Sequence, residues 1–93
     1  MITKDCLLDM MFHSKPISDF EKKFDYSENE QAWKELLDMC YWEFSYESVG
    51  GDMGYLENPP IDHKRLEYLE NLIVFLEMKG IKIDNTAQKV KRP

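Results

Sequence analysis

Histidine and cysteine are scarce in this chain, with two of each in 93 residues. That scarcity removes much chemistry at once. Cys6 and Cys40 form no Cys-x-x-Cys pair, and together with His13 and His63 they show none of the short paired spacings by which ligands converge on zinc. Neither histidine stands in a nucleophile and base motif: His13 precedes a proline turn and His63 falls in a first helical turn. The chain is therefore expected to be no enzyme, with no catalytic residue and no metal ligand. Glycine is also sparse, four in all, yet Gly50, Gly51 and Gly54 crowd into five positions. They do not make a phosphate cradle, because no strand pattern precedes them and no Lys-Ser or Lys-Thr follows. The neighbouring Glu47, Asp52 and Glu57 lack the alternating oxygen ligands of a calcium loop. No cofactor is expected.

No apolar run approaches the 18 residues of a membrane span, and Met1 to Asp5 lack the basic region and apolar stretch of a secretory leader. The expected compartment is the cytoplasm, and no membrane partner is implied. Cys6 and Cys40, each among apolar residues at helical spacing, are expected as buried reduced thiols. What remains is ample core material. Hydrophobic residues are 43% and aromatics 13%, too much for an intrinsically disordered segment. A chain of this size buries only about 60 to 65% of its unfolded surface, so one core is all it can build.

The apolar periods predict an all-α fold, a small bundle of about four helices with a glycine-rich loop between the third and fourth. Thr3 can cap a first helix over 4–13 carrying the apolar residues Cys6, Leu7, Met10 and Met11, with Phe12, which must stop before Pro16. Ser18 and Glu21 have capping-box spacing, with Ile17 placed as a staple, and open a short helix to 24 that turns Phe20 and Phe24 inward. Ser27 and Glu30 repeat the pattern ahead of a helix over 28–45 with the cleanest stripe in the chain: Trp33, Leu36, Leu37, Cys40, Tyr41 and Phe44. The glycines end it, and Asn58-Pro59-Pro60 leads to Asp62, the expected cap of a helix over 62–79. That helix places Leu66, Leu69, Leu72, Ile73 and Leu76 in the core and closes at Gly80. Residues 1–93 are thus expected to form a single helical domain. Ile81 to Asp84 suit a short extended segment, and 81–93 form a basic C-terminal tail, partly frayed.

Charge carries the functional signal. The chain as a whole stands at -6, but from Asp19 to Glu57 eleven carboxylates face only three lysines, a local net of -8. The remainder is therefore slightly basic. Such a surface repels nucleic acid phosphates and anionic lipid and attracts a basic protein. The same half holds Tyr41, Trp42, Phe44, Tyr46 and Tyr55, and one helix cannot turn all of them inward. Either Trp42, Tyr46 and Tyr55 are exposed anchors of a protein-binding surface, or the long loop folds back and buries them under the last helix.

Leu7-Leu8, the run from Pro16 to Phe24 (Pro-Ile-Ser-Asp-Phe-Glu-Lys-Lys-Phe), and Leu36-Leu37-Asp38 with aromatics behind it resemble the small acidic immunity proteins similar to the colicin D inhibitor. The likeness covers about the first half of the chain; immunity proteins of contact-dependent toxin systems are a second, equally varied group of the same class. What the resemblance implies is a helical bundle that neutralises a toxin nuclease by acidic blockade of its basic nucleic-acid-binding cleft, with no direct contact to nucleic acid. On this reading Glu35, Asp38, Glu43, Glu47, Asp52 and Glu57 supply charge, and Trp42, Tyr46 and Tyr55 supply anchors. A phage-encoded inhibitor of a bacterial nucleic-acid-binding enzyme uses the same physics. A homodimeric regulatory or interaction module is the third reading, in which the aromatic loop is hidden between two copies.

Overall fold

The computed structural model describes residues 2–82, and their backbone is built on four helices with no strand among them. Helix α1 (Lys4–Phe12) starts where the side-chain oxygen of Thr3 accepts from the Cys6 amide at 3.2 Å. It ends with Ser14 in the left-handed region, φ 54°. There the amides of Ser14 and Lys15 reach back to the carbonyls of Met11 and Met10 at 3.0 and 2.9 Å, the two bonds of a Schellman turn.

Helix α2 (Ile17–Lys23) begins one residue ahead of the expected start, with Pro16 as its cap. The Ser18 capping box therefore does not form: Ser18 is already inside the helix, and a cap residue must itself be non-helical. Helix α3 (Glu30–Ser48) likewise lacks the Ser27 box, since Asn29 occupies the cap position. Ser27 instead donates to the Asp25 carboxylate at 2.8 Å, which also accepts the Glu28 amide, and the side-chain amide of Asn29 donates to the Ile2 carbonyl. The Ser27 hydroxyl lowers the Asp25 pKa from its ordinary value.

Helix α4 (His63–Met78) is capped as its sequence predicts, Asp62 accepting from the Arg65 amide at 3.0 Å. Its end is a second Schellman turn, with Gly80 at φ 88° and the Ile81 amide bonded to the Leu76 carbonyl. Ile81, expected in an extended segment, is folded under this turn and fully buried. The rest of the expected tail, 83–93, lies outside the described residues.

One core joins the four helices: Leu7, Met10 and Met11 of α1, Phe20 of α2, Ala32, Trp33, Leu36, Leu37 and Cys40 of α3, and Leu69, Leu72 and Leu76 of α4. Two expected core members, Leu66 and Ile73, are only half-buried, because the buried line of α4 steps 69, 72, 76 and leaves both at its edge. Cys6 and Phe12 are further corrections: both are exposed, because α1 buries a narrow 7, 10, 11 stripe with both off its edge. Cys40 is buried as expected, its thiol 3.6 Å from the Met11 sulfur and its pKa pushed up to about 12 by that burial. Phe24 stacks edge-on to Trp33 at 4.9 Å and to Phe75 at 6.3 Å, while Lys79 lies over the rings of Phe24 and Phe75 and pairs with Glu21 at 3.6 Å.

Candidate protein-binding face

Helix α3 has two faces of different chemistry. Trp33, Leu37, Cys40 and Phe44 recur every three or four residues and point into the bundle. At about 100° per residue, Glu35, Asp38, Trp42, Tyr46 and the capping Val49 recur on the opposite side. The exposures follow: Trp42 is 47% accessible, Tyr46 44% and Val49 61%. The loop does not bury these rings under α4. Tyr41 and Phe44, by contrast, pack against the core edge, and the Tyr41 hydroxyl donates to Glu77 of α4.

The glycine-rich loop holds this face in place from one end. Gly50 adopts φ 95°, and a Cβ there would stand 2.3 Å from the Cβ of Pro59, so only glycine lets the loop's return limb close against its start. A short 3-10 turn, Gly51–Met53, follows. It swings Asp52 back to the helix, where its carboxylate accepts the Tyr46 hydroxyl. That hydrogen bond raises the Tyr46 pKa, with burial adding a smaller push in the same direction.

Of the residues singled out from the sequence, Glu35, Asp38, Trp42 and Tyr46 share one stripe, and Asp52 joins it through Tyr46. Glu43 and Glu47 sit on the flank of α3 rather than on the stripe, and all four of these helical carboxylates, Glu35 and Asp38 included, are half-buried. Tyr55, at 79% accessible, and Glu57 lie farther along the loop. One member was missed by sequence reasoning: Val49, exposed, extends the apolar end of the stripe. The spacing 35, 38, 42, 46, 49 was visible in the sequence, but the core-facing stripe on the same helix took precedence. The single lysine of α3, Lys34, is paired with Glu30 at 3.3 Å, so the helix presents mostly carboxylates.

Elsewhere the surface offers less. A cavity of about 400 Å³ is lined by Ile2, Thr3, Cys6, Lys23, Asp25, Glu28 and Asn29. The His13 imidazole lies 3.3 Å from the Asp9 carboxylate on the exposed side of α1. Among the described residues no three His, Cys, Asp or Glu side chains gather as metal ligands, and no helix is long and apolar enough to cross a membrane. No known protein family, curated protein or solved structure matches the chain.

Proposed function

We propose that this chain is an inhibitor that binds a basic protein through the outer face of α3, and that its target is a toxin nuclease, in the manner of the immunity proteins that its first half resembles. The observation that carries the reading is the placement of Trp42 and Tyr46. Both stand on the side of α3 away from the core, with Asp38 and Glu35 in line with them and Asp52 bonded to Tyr46. An apolar centre rimmed by carboxylates matches the make-up of a protein-binding patch, where aromatic anchors supply most of the energy and charge steers approach. The carboxylates would occupy the positions that a nucleic acid's phosphates take in the target's cleft. The same face suits a phage-encoded inhibitor of a nucleic-acid-binding enzyme. A homodimer is disfavoured, since two copies would bring like charges together.

The test is capture and inhibition. The immobilised chain is exposed to a lysate of its host alongside Trp42→Ala and Asp38→Lys baits, and the retained protein is assayed for nucleic acid cleavage with and without added chain. A basic nuclease should be retained by the wild type and silenced at stoichiometric ratio. Trp42→Ala should weaken binding by about 2 kcal/mol, mainly through faster dissociation. Asp38→Lys should slow association and reduce its salt dependence, because steering by charge is screened over about 8 to 10 Å. Equal retention by all three baits, or cleavage that continues at full rate, refutes the proposal.

A further inference from the structure

The outer face of α3 is convex, with two carboxylates at its amino-terminal end and one, Asp52, at the other. Glu35 to Val49 span about 21 Å along the helix axis. Carboxylates occupy the first part, Glu35 and Asp38, and apolar groups the second, Trp42, Tyr46 and Val49, with Asp52 beside Tyr46. The shape restricts what can lie on it. An extended peptide draws affinity from the backbone of a sheet edge, and the described residues hold no strand. A polyproline segment needs an aromatic-lined groove, whereas these rings project from one convex helix. A second helix fits, since side chains spaced by three and four residues form the ridges into which another helix packs.

Resting on the reading above, we infer that the segment of the basic partner that docks on α3 is an amphipathic helix, its apolar stripe seated on Trp42, Tyr46 and Val49 and its lysines or arginines at Glu35 and Asp38. The charge complementarity selects a basic occupant over a second copy of this acidic chain, and the two carboxylates of Glu35 and Asp38, against the single one beside Tyr46, set the direction in which it lies. Its cationic end sits over the amino-terminal half of α3. Its apolar end reaches Val49, where the glycine-rich loop begins.

Three 18-residue peptides test this against the full chain by tryptophan fluorescence and circular dichroism. The first carries leucines at helical spacing with lysines along its flanks, the second has the same composition rearranged to alternate apolar and basic residues, and the third keeps the helical pattern with glutamate for lysine. The first should bind at least tenfold more tightly than either of the others and gain helix on binding. Trp42→Phe and Asp38→Lys should each weaken it at least tenfold in protein that still melts cooperatively. Equal binding of the alternating peptide, or no binding of either basic peptide at millimolar concentration, overturns the helical occupant and leaves the basic-partner proposal to its capture test. Binding of the acidic peptide as tightly as the basic helix overturns both.

Discussion

Arg65 links the start of α4 to the end of α1, and the energetics of that link have a sign that can be checked. Its guanidinium donates to the Met11 carbonyl at 2.9 Å and to the Ser14 hydroxyl at 2.8 Å. Ser14 holds φ 54°, a conformation that costs a side-chain-bearing residue about 1 kcal/mol and glycine almost nothing. The Ser14 hydroxyl returns about 1 to 1.5 kcal/mol through its bond to a charged donor, reduced because solvent reaches the site. In the wild type, Ser14→Gly should therefore be nearly neutral or slightly destabilising. Arg65→Met keeps the stem's packing but loses both bonds and the cation at the end of α1, costing about 2 to 3 kcal/mol. On that background Ser14→Gly has only strain to relieve, so it should stabilise by about 1 kcal/mol and raise the melting temperature by about 4 to 8 °C. Urea denaturation of the four proteins, followed by circular dichroism, yields the coupling energy directly. If Ser14→Gly has the same effect in both backgrounds to within about 0.3 kcal/mol, the Arg65 link does not exist in solution.

Two further predictions rest on groups whose environments differ sharply. Cys6 is exposed while Cys40 is buried with its pKa near 12, so a thiol reagent at pH 8 should modify one equivalent rapidly and the second only on unfolding; two fast equivalents in the native protein would contradict the packing of α3 on α1. Tyr68 is raised to about 12, first by burial, and its hydroxyl donates to the Lys15 carbonyl at 2.6 Å. Because its folded value lies above the unfolded value of 10.0, the stabilisation is complete below pH 10 and is lost as pH rises through about 12. Tyr68→Phe should flatten melting curves measured across that window, and an unchanged pH profile in the variant would refute the assignment.

These features differ in how far they could be read from the chain itself. The helices were legible because α1, α3 and α4 each carry a sustained apolar period, and Thr3, Asp62 and Gly80 act through neighbours three to five residues away. The capping boxes at Ser18 and Ser27 failed for a local reason of another kind. Their spacing is right, but Pro16 starts α2 early and Asp25 takes the Ser27 hydroxyl, so which residue stands at the boundary decides the cap. The Arg65 link joins residues 51 and 54 positions apart, and nothing in the local pattern around Arg65 announces it. Leu66, Ile73 and Cys6 lie at the margins of their stripes, where burial depends on how closely the next helix approaches.

The same limit explains why the outer face of α3 could be suspected but not placed. Periodicity says that Trp42 and Tyr46 cannot share a face with Trp33 and Cys40; it does not say whether another element covers them. Among the described residues the two helices packed most extensively on α3, α1 and α4, lie on its core side, and the short turn Gly51–Met53 meets its end. The loop that follows is a further candidate among the described residues. Gly50 and Pro59 close that loop on itself, leaving Tyr55 and Leu56 exposed. Large aromatics left half in solvent contribute much less to folding than their area allows, since the hydrophobic gain scales with area removed from water. That unrealised area is what a docking partner would bury, and the surrounding carboxylates would limit the choice of partner to one bearing the opposite charge.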